Sequence, residues 1–82
     1  MKAKEMFKEL KYVVTRDDDD WLIYDYKCGY YTQEVQFLKY GGLKKWQLRG
    51  NCPITIKRYQ AITQQMKELG WLDEEENNVK RF

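Results

Sequence analysis

Residues 33–49, QEVQFLKYGGLKKWQLR, constrain the chain more than any other stretch, because they specify a β-hairpin together with its register. Gly41-Gly42 supplies two consecutive residues that tolerate positive φ, as a two-residue primed turn demands. Closing that turn sets Tyr40 opposite Leu43, Lys39 opposite Lys44, Leu38 opposite Lys45 and Phe37 opposite Trp46. It continues with Gln36 opposite Gln47, Val35 opposite Leu48 and Glu34 opposite Arg49. Side chains alternate across a strand, so one face carries Val35, Phe37, Trp46 and Leu48. The other carries Glu34–Arg49, Gln36–Gln47, Leu38–Lys45 and Tyr40–Leu43. A slip of one residue would break the aromatic pair and the charge pair together. Each cross-strand pair contributes roughly 0.2–1 kcal/mol, and it is their agreement that fixes the register.

The flanks supply the partners for this hairpin. In KAKEMFKEL, Ala3, Met6, Phe7 and Leu10 fall at i, i+3, i+4 and i+7, one stripe of a short amphipathic helix over residues 2–10. Two turns are too few to be stable alone, so this helix must dock. Lys11 to Arg16, KYVVTR, is rich in β-branched and aromatic residues and reads as a strand. Asp17 to Asp20 end it as a turn. Consecutive Asp residues on an extended chain point to opposite sides, and no calcium-loop spacing follows them. Trp21 to Lys27, WLIYDYK, forms the next strand, with Cys28-Gly29 as its turn. That turn sets Leu22 opposite Val35 and Tyr24 opposite Gln33. Leu22, Tyr24 and Tyr26 then face the core, and Trp21 and Ile23 face away.

Beyond the hairpin, Gly50-Asn51-Cys52-Pro53 breaks the sheet. Thr55 is an N-cap, with Ile54 and Tyr59 in the hydrophobic-staple positions. Ile56, Tyr59, Ile62, Met66 and Leu69 make the stripe of a second, longer helix. Gly70 is its C′ residue, and Trp71 is placed to fold back on Met66 in a Schellman motif. The expected fold is therefore α+β, in the order α-β-β-β-β-α. It is a four-stranded antiparallel meander with both helices on one face. Residues 1–72 form its single domain and 73–82 a charged tail. The expected core is Met6, Phe7, Leu10, Leu22, Val35, Phe37, Trp46, Leu48, Tyr59, Ile62, Met66 and Leu69.

Composition limits the chemistry. There is no histidine, so the commonest general base is missing. No phosphate loop, nucleophile elbow or metal motif is present, which argues against an enzyme, a cofactor or a metal. The two cysteines, Cys28 and Cys52, show no paired spacing and read as reduced thiols of a cytoplasmic protein. No apolar run is long enough for a membrane span, and the charged start lacks the apolar region of a signal peptide. Net charge is +2, but it is unevenly placed. Residues 39–67 contain Lys39, Lys44, Lys45, Arg49, Lys57, Arg58 and Lys67 and no acid. Acids return at Glu68 and at Asp73 to Glu76.

Two surfaces emerge. The sheet face away from the helices would display Trp21, Ile23, Leu38, Tyr40 and Leu43, with Lys45 and Arg49 among them. Apolar clusters rimmed by polar residues mark interaction surfaces, so a protein-binding module, monomeric or weakly dimeric, is the leading expectation. The alternative is nucleic-acid binding through Lys39, Lys44, Lys45, Arg49, Lys57 and Arg58, with aromatics available to stack bases. The domain pI of about 8.5 falls short of the usual footprint of roughly 9 or more.

The opening AKEMFKELKY and the late ITIKRYQAITQQMKELGWL resemble a group of small uncharacterised phage and prophage proteins of Gram-positive bacteria. That group begins A-x-E-M-F-x-x-L-G-Y and ends I-T-x-x-E-L-x-A-I-x-x-Q-x-x-E-L-G-W. The resemblance covers about a third of the chain, and its motifs are structural. This sequence departs at Lys11, where the group tends to have Gly. It departs again at Lys57-Arg58-Tyr59, where the group tends to have an acid and Leu. The resemblance implies a bacterial cytosolic setting and no established activity, and it carries over no catalytic residue; the expectation that goes with the protein-binding reading is a phage accessory factor acting on a host or phage protein.

Overall fold

The computed structural model describes residues 1–72. The elements are α1 (Ala3–Glu9), β1 (Tyr12–Asp17), β2 (Trp21–Cys28), β3 (Tyr31–Leu38), β4 (Lys45–Gly50) and α2 (Ile56–Glu68). The strands form one antiparallel sheet in the order β1-β2-β3-β4. This is the expected α-β-β-β-β-α meander. The expectation for residues 73–82 lies outside the described residues.

The central hairpin keeps its derived register from Leu38↔Lys45 through Phe37↔Trp46 and Val35↔Leu48 to Glu34↔Arg49. Its turn is the primed one: Gly41 (φ 60, ψ 24) and Gly42 (φ 81) both take positive φ, and Leu43 N–H donates to Tyr40 O at 2.9 Å. Tyr40 and Leu43 flank that turn, but the regular ladder stops at Leu38↔Lys45, because Lys39 leaves the extended conformation (φ -104, ψ -6).

The β2–β3 register is displaced by two residues from expectation. Leu22 lies opposite Phe37, Tyr24 opposite Val35 and Cys28 opposite Tyr31, so the turn is Gly29-Tyr30. A shift of two leaves every side chain on its face. Leu22 and Tyr24 are accordingly buried. β1 starts one residue later than expected, and a bulge between Val14 and Arg16 bends it.

Both helices cover the Leu22–Tyr24–Val35–Phe37 face. The Phe7 ring of α1 stacks on Tyr24 at 3.9 Å between centroids and meets Tyr12 and Phe37 edge-on. Burying each such side chain stabilises the fold by roughly 1.5–3 kcal/mol. The α2 caps form as the sequence indicates. Thr55 Oγ1 accepts from Arg58 N–H at 3.2 Å. At the other end Gly70 N–H reaches Lys67 O and Trp71 N–H reaches Met66 O, the Schellman pattern, at 3.0 and 2.9 Å. Trp71 then packs beside Phe37.

Two expected core residues are exposed. Tyr59 is 53% exposed and Leu48 38%. α2 is rolled so that Ala61, Ile62 and Gln65 face inward. Polar partners on the sheet fix that roll. Tyr24 Oη donates to Gln65 Oε1 at 2.6 Å, and the Arg58 guanidinium lies 4.8 Å from the centre of the Tyr26 ring. Leu48 belongs to the covered face, but β4 is an edge strand with no neighbour beyond it to complete its packing.

The ends of the helices are tied together. Ala3 N–H donates to Glu68 Oε2 at 2.7 Å, a carboxylate at the start of α1 where the helix dipole favours it. Desolvation pushes Glu68 up, but bonds from Gln64 and Ala3 with the nearby positive charges outweigh it, and its pKa lies below the usual value.

Candidate binding surface

The sheet face away from the helices is built from alternate residues of the four strands, and the observed registers arrange it in rows. One row is Trp21–Leu38–Lys45. The next is Ile23–Gln36–Gln47, and the third Val13–Asp25–Glu34–Arg49. One end of the face is therefore apolar and the other ionic.

At the apolar end, Trp21, Ile23 and Leu38 sit side by side and are each half-buried. The Arg16 guanidinium lies 5.5 Å from the centre of the Trp21 ring. Arg16 is positioned by Asp18, whose Oδ2 accepts from Nε at 2.7 Å. Asp18 also organises the β1–β2 turn: its Oδ1 accepts from the N–H groups of Asp20 and Trp21 at 2.9 and 2.8 Å. The Arg16 bond foremost, with these backbone donors, lowers its pKa to about 2. Asp17 is bound to Lys4, so two of the four Asp are engaged by cations. Tyr40 and Leu43, expected on this face, belong to the loop between β3 and β4. Tyr40 is 61% exposed.

An amide chain crosses the middle of the face. Gln47 Nε2 donates to Gln36 Oε1, and Gln36 Nε2 donates to Glu34 Oε1 at 2.6 Å. Gln36 is only 7% exposed on a face no helix covers, because these neighbours enclose it. Glu34 Oε1 is engaged here. It stands opposite Arg49 as expected, yet the two form no ion pair among the described residues.

At the ionic end, Lys11, Lys27, Asp25, Glu34 and Arg49 line an open groove of about 570 Å³. Burial raises the Asp25 pKa, and the neighbouring Glu34 charge adds to the rise. This carboxylate pair was not visible in the sequence-derived register, which sets Asp25 opposite Thr32. The alternation of Asp25 between Ile23 and Lys27 was the available signal. The exposed Tyr30–Tyr31 pair at the β2–β3 turn is a second feature that the sequence pattern left unassigned.

The basic stretch divides. Lys44, Lys45 and Arg49 are exposed on the β3–β4 loop and β4, and Lys39 is half-buried beside them. Lys57 and Arg58 belong to α2, in the helical layer on the other side of the sheet. There Arg58 lies over Tyr26 and its Nη1 reaches Pro53 O at 3.4 Å. The six residues do not form one continuous anion-binding surface. Cys28 and Cys52 are free thiols. Among the described residues no cluster of metal-ligating side chains occurs, and no helix is long and apolar enough to cross a membrane.

Comparison of the chain with family models, with curated proteins and with solved structures finds no match.

Proposed function

We propose that this chain is a non-enzymatic protein-binding module of phage or prophage type. It acts in the bacterial cytoplasm and docks a phage or host protein on the apolar end of its open sheet face. The observation that carries this reading is the row Trp21–Leu38 with Ile23 beside it, partly accessible on a face that neither helix covers. A large aromatic flanked by aliphatic side chains and rimmed by Lys45, Gln47 and Arg16 matches the makeup of an interface anchor. The absence of histidine from the sequence supports a binding role over acid–base catalysis. The exposed Tyr40 and Leu43 extend the apolar area at the loop end.

The test compares affinity capture from host lysate by the parent chain and by Trp21→Ala with Leu38→Ala. Sedimentation over a concentration series distinguishes self-association. Loss of the specific partner, with the fold retained, is expected. Full retention of that partner by the double variant would remove the surface from consideration.

A further inference from the structure

The outer edge of β4 offers a second recognition element, separate from the open face. The two edges of this sheet are not equivalent. β1 carries a bulge after Val14, and α1 packs next to it, with Lys4 bridging to Asp17 at 2.8 Å. Bulges, covering elements and edge charges are how sheets prevent an edge from accepting another strand. β4 has no bulge or cover among the described residues, and only Lys45 and Arg49 guard it, charges that oppose a basic strand and not an acidic one. It pairs with β3 at six consecutive positions without irregularity, contains no proline, and among the described residues nothing pairs on its other side. Its alternate backbone groups therefore point outward.

The side chains along β4 say which strand would fit. On the open-face side stand Lys45 and Arg49, with Gln47 between them. Neither cation forms an ion pair among the described residues. On the covered side stand Trp46, half-buried, and Leu48, exposed only because no further strand flanks it. A second copy fits poorly. The antiparallel self-pairing centred on Gln47 sets Lys45 opposite Arg49 of the other copy, twice over, and like charges directly opposite are destabilising. An acidic strand meets no such opposition.

The geometry points to β4 as the acceptor edge for an extended acidic segment of another protein, added as a fifth strand. The pattern that fits is acid–apolar–x–apolar–acid. Its two carboxylates sit beside Lys45 and Arg49, and its two apolar residues extend the layer of Trp46 and Leu48. Main-chain hydrogen bonds would give affinity and the alternate side chains selectivity.

The probe is a short fluorescein-labelled peptide containing Glu-Val-Thr-Val-Glu, titrated against the full chain with anisotropy and amide-shift mapping as readouts. Binding should shift β4 amides and leave β1 unmoved. The same peptide with Lys for Glu, or with alternate backbone amides methylated, should bind at least about tenfold more weakly. Lys45→Glu with Arg49→Glu should lose the acidic peptide and gain the Lys peptide, while dispersed shifts from Phe7, Tyr24 and Ile62 show the fold intact. Trp21→Ala should bind the peptide normally, which separates this edge from the open-face reading. No binding of the acidic peptide, equal binding of the methylated peptide, or shifts centred on β1 would each overturn the assignment.

Discussion

Replacing Gly50 by alanine should destabilise this protein more than any comparable change at a glycine. Gly50 ends β4 at φ +114, a backbone conformation that residues with a Cβ rarely adopt. A Cβ there would lie 2.3 Å from Thr32 O, 2.8 Å from Thr32 C and 3.0 Å from Gln33 Cα. All three are backbone atoms, so no rotamer change can relieve the clash. Thr32 cannot retreat either. Its N–H is held by Asn51 Oδ1 at 2.9 Å, and its carbonyl accepts from the N–H groups of Asn51 and Cys52 at 3.1 Å each. The end of β4 must peel away and release those bonds. Strain of about 1–3 kcal/mol and roughly 0.5–1.5 kcal/mol for each of the three lost bonds give a total of about 2.5–7.5 kcal/mol. The stability expected for a chain of this length is only roughly 4–12 kcal/mol. At about 4–8 °C per kcal/mol, the Tm should fall by at least ~10 °C. Thermal and urea unfolding would measure it. The control is Gly29→Ala, where φ is +58 and a Cβ would meet nothing within 4 Å, so only the left-handed penalty of about 1–2 kcal/mol remains. If Gly50→Ala costs no more than Gly29→Ala, the close approach is not what holds this corner.

Lys11 follows the C-cap of α1 with φ 73, so Lys11→Gly should stabilise by about 0.5–1 kcal/mol, read as a higher urea midpoint, while Lys11→Ala should give no gain. Tyr24→Phe should cost about 1–3 kcal/mol because it strands the buried Gln65 carbonyl; a double-mutant cycle with Gln65→Met should recover part of that loss, and additivity would refute the pairing. Asp18 has a folded-state pKa of about 2 against 3.8 for the free side chain, so its stabilisation of the β1–β2 turn is present above about pH 4 and lost as pH falls through about 2. Carboxyl NMR titration and acid-induced exchange of the Trp21 amide would check this, and Asp18→Asn should remove the transition at Trp21.

What was legible in the sequence was what local or repeated pairing decides. Thr55, Gly70 and Trp71 cap α2 through contacts within five residues, and each formed as expected. The β3–β4 register rests on several pairs that agree. The β2–β3 register did not have that support. A turn at Cys28-Gly29 or at Gly29-Tyr30 satisfies the same alternation, and only the packed sheet selects the second. The candidate surface inherited both outcomes. Trp21, Ile23 and Leu38 share a face in either register, so the apolar end was foreseeable. The Asp25–Glu34 pair exists only in the observed one. Tyr40 and Leu43 flank the Gly41-Gly42 turn as derived, but Lys39 leaves the extended conformation and ends the regular ladder at Leu38↔Lys45 before reaching them. The α2 stripe misassigned Tyr59 because hydrophobicity cannot register a helix that turns glutamine inward to meet a phenol.

That inward polarity bears on why the opposite face is open. The covered face is not purely apolar: Tyr12 Oη donates to Gln33 Oε1, Gln33 Nε2 donates to Cys52 O at 3.0 Å, and Tyr24 pairs with Gln65. The last of these reaches α2 and defines how it sits, since a buried amide left without its phenol would cost about 1–3 kcal/mol. Met6 and Phe7 of α1 and Leu10 at its C-cap join Ile62, Met66, Leu69 and Trp71 in the core cluster. The buried part of each helical stripe therefore lies on one side of the sheet, while Ile56 and Tyr59 at the start of α2 stay exposed. Among the described residues no second amphipathic element remains for the other side. Its ionic half is solvated or bridged by the Gln47–Gln36–Glu34 chain, whereas its apolar half has only Arg16 across Trp21. An arginine held by an exposed carboxylate is easily displaced, because exposed ion pairs contribute at most about 1 kcal/mol. The surface best placed to accept a partner is therefore the one whose cover is weakest, and it is weak because the fold has spent its helices elsewhere.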